Sequence, residues 1–374
     1  MIPETVRKQL TILDSILQEH YSKNPQLVVS PDFIEGREFG FTYFDGSFRR
    51  HLSFKTSQEY KSFILKNHPK DIYFSIAIYR SPSSLMSKKG WLSAELPFDL
   101  DAEQVLKTDD ENIKAGWISP SVYELIKQEF VKLIENFVEA DFGLHKGDYA
   151  LSFSGGRGYH LRIKNETFSS LDQRVRRQIV EYISIGYKPK WFSNGSSMVS
   201  PFRHDYGWCK KIFESLKTIN LEDLTTYSST ELNAAAKVIA SCRKASKPSD
   251  FRIRIHERPT AQKLIEETVS RTTVAIDERV TVDINRLLRA PGTVHGGAGL
   301  LCKSLTKSEL SNFDPMRDST MPLNSRRKVE IQRIPFEVCI NGDLVTPSDK
   351  GRVMEVNSSL AYYLVVRRGG VFVE

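Results

Sequence analysis

The chain is 374 residues long, 40% hydrophobic and 26% charged, a balance typical of a globular protein that excludes a fibrous or largely disordered one. This length allows two domains, or one domain with a large insertion. The formal net charge of +7 suits a polyanionic partner without requiring one, and the absence of any uncharged apolar run of about 18 residues argues against a membrane span.

The first part of the chain is predicted to alternate between helices and strands. Leucines and isoleucines between charged residues predict an amphipathic helix over 1–22 rather than a signal peptide. Alternating residues on both sides of Asp45-Gly46 predict a hairpin over 37–54. The other elements predicted in this part are a helix over 57–67, strands over 72–79 and 91–101, and a helix over 119–139.

The second part is predicted to contain a helical insertion. The elements expected are strands over 148–153 and 159–164, a helix over 169–185, a small helical bundle over 185–245 and a strand over 274–284. Short strands are expected over 330–374, with a helix over 358–366. We therefore predict an α/β protein of the α+β type. Its mixed-sheet core is formed by residues 1–170 and 273–374, and a helical subdomain is inserted at 171–272.

Two aspartates end the strand predicted over 91–101. Apolar and polar residues alternate there, so Asp99 and Asp101 project from the same face, about 7 Å apart at about 3.3 Å per residue. Carboxylates this close repel each other in a partly dry site unless a cation lies between them. The pair therefore predicts a site for Mg²⁺ or Mn²⁺, and such sites commonly serve phosphates. The alternative is a solvated strand end.

A second candidate site is the glycine-rich turn between the next two strands, Ser154 to His160, with the sequence SGGRGYH. Its glycines permit positive φ, so backbone N–H groups can converge on an anion. Arg157 offers a fork of donors that matches phosphate oxygens, and His160 alternates with apolar residues on the strand that follows. The combination predicts a triphosphate cradle. The alternative is an ordinary hairpin turn with a solvated arginine.

The stretch 280–300 carries a third candidate site. Asp283 falls at the predicted end of a strand, and a third carboxylate would complete a site for two divalent ions. Arg286 and Arg289 are predicted to share one side of a short helical turn, and His295 follows in a glycine-rich loop. Arg289 and His295 are therefore candidates for phosphate binding. The alternatives are a surface or an ion-paired position for Arg286, and a loop histidine that bonds the backbone for His295.

The densest positive stretch lies between residues 243 and 258, in the predicted insertion. Apolar residues alternate with its charges after residue 250, so one face could be wholly basic and follow the phosphates of a nucleic acid. The alternative is a solvated edge. The candidates for nucleic-acid contact are Arg243, Lys244, Arg252 and Arg254.

The cysteines are few and scattered along the chain. Their spacing favours buried thiols in a reducing, cytoplasmic compartment over disulfides or a zinc knuckle. They are Cys209, Cys242, Cys302 and Cys339.

Three motifs in this order resemble the small catalytic subunit of archaeal and eukaryotic-type DNA primases. They are Asp-x-Asp at 99–101, the SGGRGYH turn at 154–160, and Asp283 followed by Arg-Ala-Pro-Gly-Thr-Val-His at 289–295. The resemblance extends from about residue 5 to the C-terminus. Shorter stretches that also match the family are 37–39, 50–54, 89–92, 141–143 and 361–364.

The resemblance implies a fold, a reaction and a set of roles. The fold is a mixed α/β "prim" core with a small helical subdomain. The reaction is template-directed, de novo synthesis of short primers from nucleoside triphosphates during DNA replication. Two Mg²⁺ or Mn²⁺ ions would be held by Asp99, Asp101 and Asp283. The residues implied to bind the phosphates of the incoming nucleotide are Ser154, Arg157, His160, Arg289, His295 and Arg50.

The resemblance also implies partners and a location. A single-stranded DNA template and a primase large subunit, in a heterodimer, are expected in an archaeal-type, nucleoid-associated cytoplasmic setting. One departure from the family pattern concerns zinc. Family members usually carry a Cys/His zinc site after the Asp-x-Asp strand, but residues 102–140 contain neither Cys nor His, so we expect no structural zinc here.

Two other functions remain open at this point. One is an end-joining or translesion primase-polymerase of the same superfamily, which also uses an Asp-x-Asp pair and a glycine-rich Ser…His motif. The other is a catalytically silent nucleic-acid-binding subunit, against which the presence of all three predicted carboxylates argues.

Overall fold

The computed structural model describes residues 3–193 and 197–373, whose contacts divide into two units. The first unit comprises residues 1–130, 145–177 and 276–374, and the second comprises 131–144 and 178–275. The insertion predicted over 171–272 overlaps the second unit at residues 178–272. The second unit also includes 131–144, which the prediction placed in the core.

Two four-stranded antiparallel sheets form the centre of the first unit. The first sheet has the order Leu287–Arg289, Asp71–Ser75, Phe39–Thr42 and Phe48–Leu52. The second sheet has the order Lys303–Leu305, Tyr149–Phe153, Gly158–Ile163 and Leu96–Asp101. The remaining strands of this unit are Ala77–Tyr79 paired with Trp91–Ala94, Val353–Asn357 with Arg326–Ile331 and Gly370–Phe372, and Val338–Ile340 with Asp343–Val345.

Helices surround these sheets, and their starts follow ordinary capping rules. The Thr56 hydroxyl, for example, accepts a hydrogen bond from the N–H of Glu59 and so begins the helix Ser57–Asn67. The α-helices that lie in or enter this unit are Glu4–Lys23, Ser57–Asn67, Ala102–Leu106, Glu111–Lys114, Pro120–Leu133, Glu166–Ser169, Gln173–Ser184, Glu278–Val282, Lys307–Leu310, Pro315–Asp318 and Ser358–Val366. Its short 3-10 segments are Pro25–Leu27, Ile34–Gly36, Met86–Lys88 and Pro347–Asp349.

The second unit is mainly helical. Its helices Gly207–Thr218, Ser229–Lys244 and Arg258–Thr272 contact one another around buried apolar side chains such as Phe213, Val238 and Leu264. The other elements are a π-helical turn Ile134–Glu139, 3-10 segments Leu221–Asp223, Pro248–Asp250 and Ile255–Glu257, and a small sheet of Phe192–Ser193, Met198–Ser200 and Ile253–Arg254.

The α+β class is confirmed, as are the N-terminal helix, the hairpin at Asp45-Gly46 and the final helix. The strand predicted over 91–101 is split at Glu95, because its two halves pair in different sheets. The strand predicted over 274–284 is wrong. The Asp277 carboxylate accepts hydrogen bonds from two backbone N–H groups and starts the helix Glu278–Val282 instead.

The helical turn predicted around Arg286 and Arg289 is also wrong. Residues Leu287–Arg289 are extended and pair with Asp71–Ser75, a partner too distant in sequence for a local pattern to indicate. All four cysteines are free, but Cys339 is exposed, contrary to the prediction of buried thiols, because it faces outward on a two-stranded hairpin. Within the described residues, no helix combines the length and apolar character needed to cross a membrane.

Candidate active site

Asp99 and Asp101 lie on the edge strand of the second sheet. Alternation buries Phe98 and Leu100 completely on the opposite face, so both carboxylates share the other face. Asp99 pairs with His160 across the sheet, and Asp101 pairs with Gly158. The close approach at Gly158 requires glycine, because a Cβ there would lie 1.8 Å from the carbonyl oxygen of Leu100.

The two carboxyl groups are largely buried, with side chains 16% and 21% exposed, and each lies near another acidic charge. Burial, followed by the charge of Asp277, raises the pKa of Asp99 from 3.8 to about 7. Burial, followed by the charge of Asp99, raises the pKa of Asp101 to about 7 as well. The buried Oδ1 of Asp99 makes no hydrogen bond with any described residue. A buried carboxylate oxygen without a hydrogen-bond partner, beside a second carboxylate, fits a divalent cation.

Asp277 is a third carboxylate beside this pair, and the sequence patterns did not single it out. Its N–H donates to the carbonyl oxygen of Asp99 over 2.9 Å, and its charge is the acidic charge that acts most strongly on Asp99. A signal for it was present, since Asp is a preferred N-cap and Asp277 caps the helix Glu278–Val282.

Asp283 lies at the other end of that helix and serves as its C-cap. Its Oδ1 accepts a hydrogen bond from the N–H of Asn285, and its side chain lines a cavity of about 330 Å³ together with Arg50, Arg286 and Tyr73. Across residues 3–193 and 197–373, no three His, Cys, Asp or Glu side chains form a group that could hold a metal ion. Neither Asp277 nor Asp283 therefore forms a preformed three-carboxylate metal site with Asp99 and Asp101 among the described residues.

The glycine-rich turn is held in shape by Ser154. Its Oγ accepts hydrogen bonds from the N–H groups of Gly156, at 3.2 Å, and Gly158, at 3.3 Å. Gly155 has a φ of +78°, which favours glycine. Arg157 forms ion pairs with Glu103 and with Asp101, the latter at 3.6 Å between Nη2 and Oδ2. The turn thus places a guanidinium group beside the carboxylate pair.

His160 faces the same carboxylates. Its Nε2 lies 3.5 Å from Oδ1 of Asp99, and the side chain is almost completely buried. Burial lowers the pKa of His160 from 6.5 to about 4, although the charge of Asp101 opposes this shift. The imidazole is therefore neutral at neutral pH before any ligand binds.

The loop of His295 packs against the glycine-rich turn. A Cβ on Gly156 would lie 2.7 Å from Cδ2 of His295, so the two loops are in direct contact. Arg289 lies nearby on the first sheet, stacked over the ring of Tyr73 at 4.9 Å. Both Arg289 and His295 approach the carboxylate of Asp71, a residue that the sequence patterns did not single out.

Arg50 is oriented by a buried acid. Its Nε lies 3.0 Å from Oε1 of Glu38, which is completely buried and also pairs with buried Lys89 at 3.3 Å. Arg50 and Arg286 line the same cavity as Asp283. Nε of Arg286 is buried without a hydrogen-bond partner among the described residues, and the charge of Arg286 acts on Asp99.

The four basic candidates of the second unit divide into two kinds. The guanidinium of Arg243 donates to the carbonyl oxygens of Lys217 and Ile219, and that of Arg252 donates to the carbonyl oxygens of Ser249 and Phe251. Lys244 and Arg254 are exposed. The wholly basic face predicted after residue 250 is not formed, because the strand ends at Arg254 and Ile255 turns outward, 56% exposed.

The first unit thus brings acidic and basic groups together at the end of the Asp-x-Asp strand. Asp99, Asp101 and Asp277 lie together, while Arg157, His160, Arg286 and the His295 loop lie around them. Such an arrangement offers carboxylate oxygens to divalent cations and basic donors to a polyphosphate.

Comparisons with known proteins agree with one another. The family model described as DNA primase small subunit matches residues 98–306. The chain is 31% identical to the DNA primase small subunit PriS of Methanosarcina mazei, over 95% of this chain and 94% of that protein. It is 31% identical to PriS of Methanocaldococcus jannaschii, over 87% of this chain and 89% of that protein. It is also 31% identical to PriS of Archaeoglobus fulgidus, over 81% of each chain.

Proposed function

This chain belongs to the DNA primase small subunit family, and from that premise we propose that it synthesises short primers de novo on single-stranded DNA from nucleoside triphosphates. Its function is that of the catalytic subunit of a DNA primase, a nucleotidyltransferase of DNA replication. The reaction joins the 3′-hydroxyl of one nucleotide to the α-phosphate of the next and releases pyrophosphate.

The observation that carries the proposal is the largely buried pair Asp99 and Asp101 beside the glycine-rich turn, with an Asp99 oxygen that makes no hydrogen bond with any described residue. We propose that these two residues and Asp277 hold two Mg²⁺ or Mn²⁺ ions, with Asp283 as an outer carboxylate. When bound, such ions lower the pKa of an attacking hydroxyl and neutralise charge on the triphosphate.

The other residues of the site bind and orient the nucleotide. Arg157 supplies a guanidinium fork to the phosphates, and the Ser154 turn supplies backbone N–H groups. His160, Arg289 and His295 donate to phosphate oxygens and stabilise the charge that develops on the leaving pyrophosphate. Little covalent chemistry is required of the protein, so positioning supplies most of the acceleration.

The surroundings of Arg50 differ from those of the other residues proposed to bind phosphate. It lies with Arg286 and Tyr73 along the 330 Å³ cavity, which combines two cations with an aromatic ring. We propose that Arg50 contacts the nucleotide or the template strand from this cavity.

The partners follow from the family. The relatives are named as small subunits, which implies a larger partner, and we propose a heterodimer with a primase large subunit in the cytoplasm of an archaeal-type cell, at the nucleoid. We also propose that no structural zinc is bound after the Asp-x-Asp strand, since residues 102–140 offer neither Cys nor His.

A priming assay tests the function. Single-stranded DNA, nucleoside triphosphates and Mn²⁺ are supplied with no 3′-end, and the first dinucleotide is measured. The proposal is supported if the wild-type protein makes the dinucleotide de novo and Asp99→Asn does not. Extension of a supplied primer without de novo synthesis indicates a translesion or end-joining polymerase. Failure to bind a nucleotide in the presence of Mn²⁺ indicates a silent DNA-binding subunit.

A further inference from the structure

Asp71 is a buried carboxylate between three separate segments of the first unit. It begins the strand Asp71–Ser75, which pairs with Phe39–Thr42 on one side and with Leu287–Arg289 on the other. Its side chain is 9% exposed, so water contributes little to its solvation. The charge of this carboxylate must therefore be balanced by groups of the protein itself.

Those groups include the two residues assigned to phosphate binding from this side of the site. Oδ1 of Asp71 accepts a hydrogen bond from Nη1 of Arg289 at 2.5 Å and lies 3.7 Å from Nδ1 of His295. The same oxygen accepts from the N–H of Gly296 at 2.9 Å. Oδ2 accepts from the hydroxyl of Thr42 at 2.7 Å, which fixes the rotation of the carboxylate.

These contacts keep Asp71 ionised. Burial alone would raise the pKa of Asp71, but the charge of Arg289 and the bond from Thr42 outweigh it and lower the pKa to about 2. Burial and the charge of Arg289 lower the pKa of His295 well below its ordinary value, so the imidazole is neutral there. Arg289 is held from its other side as well, since Nη2 donates to the hydroxyl of Tyr73 at 3.3 Å. Its guanidinium therefore has one defined orientation rather than the many that a long side chain could adopt.

His295 is the less constrained member of the group. Its Nδ1 is buried, and no described residue gives it a hydrogen bond. The neighbouring N–H of Gly296 is bonded to Asp71, however, so the backbone on which the imidazole stands is fixed. The opposite side of the ring faces the glycine-rich turn, since a Cβ on Gly156 would lie 2.9 Å from Nε2 of His295.

We propose that Asp71 is the positioning residue for the triphosphate: it orients Arg289 and anchors the His295 loop so that both present their donors to the phosphates. This inference rests on the proposed function, because it deepens the role given there to Arg289 and His295. Metal-binding side chains are commonly oriented by a second residue that hydrogen-bonds to them without touching the metal. Asp71 would orient phosphate-binding side chains in the same way, without touching the phosphate.

The test compares Asp71→Asn and Asp71→Ala with wild type, using inorganic tripolyphosphate and a nucleoside triphosphate as probes, each with Mn²⁺. Because the proposed contacts are made to phosphates alone, both probes should lose affinity about tenfold or more in Asp71→Ala. Asp71→Asn keeps an oxygen acceptor for Gly296 and should lose less. The affinity for single-stranded DNA should not change, and KM for the nucleotide should rise more than kcat falls.

Asp141→Asn is the matched control. Asp141 is also a buried carboxylate, 8% exposed, paired with Lys211 and bonded to the hydroxyl of Tyr182 at 2.8 Å within the second unit. It should lower thermal stability as Asp71→Asn does and leave the affinity for tripolyphosphate unchanged. Because the variants of Asp71 could destabilise the fold, binding is measured at a temperature at which melting curves show them folded.

A double-mutant cycle separates positioning from mere stability. Because Asp71 is proposed to act through both Arg289 and the His295 loop, Asp71→Asn should weaken tripolyphosphate binding less in Arg289→Gln than in the wild type, since only the effect through the loop remains. Additive losses, or folded Asp71→Asn with wild-type affinity, overturn the inference while the proposed function stands. If wild-type protein neither binds tripolyphosphate nor makes primers, the proposed function and this inference fail together.

Discussion

The backbone N–H of Asp277 donates a hydrogen bond to the carbonyl oxygen of Asp99 over 2.9 Å. This bond fixes the start of the helix Glu278–Val282 against the end of the Asp-x-Asp strand. Asp283 caps the opposite end of the same helix, about 9 Å along its axis at about 1.5 Å per residue. Two candidates for the third carboxylate therefore stand at opposite ends of one short helix, and Asp277 is the one beside Asp99.

The first prediction distinguishes these two aspartates. Asp277→Asn should lower kcat for dinucleotide synthesis about a thousandfold or more, because it removes a charge beside the proposed metal site. Asp283→Asn should lower it about tenfold or less, since its carboxylate lies in the neighbouring cavity. Steady-state priming at saturating Mn²⁺ measures both. A severe loss in Asp283→Asn alongside a mild one in Asp277→Asn would contradict the assignment of Asp277.

The second prediction concerns stability without metal. Burial raises the pKa of Asp99 and of Asp101 from 3.8 to about 7, with further contributions from the charge of Asp277 on Asp99 and of Asp99 on Asp101. The folded protein therefore retains protons that the unfolded chain releases above about pH 4, and the stability that these groups contribute is lost as the pH rises towards 7. Asp99→Asn or Asp101→Asn should then raise Tm by a few degrees at about pH 8.

The comparison at low pH is the control for that prediction. At about pH 4 or below both carboxyls are protonated in the wild type, so the substitutions should have little effect on Tm there. Thermal melts with a chelator present measure the difference. Equal shifts at both pH values, or a lower Tm at about pH 8, would show that charge repulsion is not the cause.

The third prediction concerns metal binding and pH. A carboxyl with a pKa of about 7 must lose its proton before it can bind a cation, so Mn²⁺ affinity should fall by about tenfold per pH unit for each proton displaced below pH 7. Titration calorimetry in buffers of different ionisation enthalpy counts the protons released. Mn²⁺ affinity that is the same at about pH 6 and about pH 8 would exclude a site at these carboxylates.

The elements that the sequence predicted well are those set by local patterns. Alternation placed Asp99 and Asp101 on one face, and three glycines placed a tight turn before His160. The same rule failed after residue 273, because the short apolar alternation there also fits a helix, and the N-cap role of Asp277 decides between the two. The preference of Asp for the N-cap position could have identified this segment as a helix rather than a strand.

The positioning carboxylates could not be predicted in the same way. Asp71 meets Arg289 only because strands far apart in sequence pair in the first sheet. Glu38 likewise meets Lys89 through packing between distant segments. A single sequence carries the residue types of such contacts but not the pairing of the strands that brings them together, so these residues emerge only from the fold.

The fourth prediction compares two neighbouring glycines in the His295 loop. A Cβ on Gly296 would lie 2.1 Å from Cγ and 2.5 Å from the carbonyl oxygen of Lys70, whereas a Cβ on Gly297 meets its nearest atom at 3.6 Å. Gly296→Ala should therefore displace the loop, lower Tm, and weaken tripolyphosphate binding about tenfold or more. Gly297→Ala is the matched control and should bind as wild type does. Equal effects of the two substitutions would show that close packing on Lys70 does not fix the loop.

The fifth prediction concerns DNA binding by the second unit. Lys244 and Arg254 are exposed, so they are available to phosphates, whereas the guanidinium of Arg243 already binds two backbone carbonyls. Lys244→Glu and Arg254→Glu should each weaken binding of single-stranded DNA and reduce the slope of log affinity against log salt by about 0.7. Arg243→Glu should lower Tm, because it leaves the carbonyl oxygens of Lys217 and Ile219 without their donor.

Lys350→Glu is the charge-matched control for these variants, since Lys350 is exposed in the first unit and its substitution changes the net charge by the same amount. A general effect of net charge would lower DNA affinity equally in Lys244→Glu and Lys350→Glu. A contact between Lys244 and a phosphate lowers the salt slope only in Lys244→Glu, because only that substitution removes a site of counterion release. An unchanged slope in both Lys244→Glu and Arg254→Glu would remove the second unit from the DNA path, and template binding would then depend on the first unit, where Arg50 and Arg286 line the cavity beside Asp283.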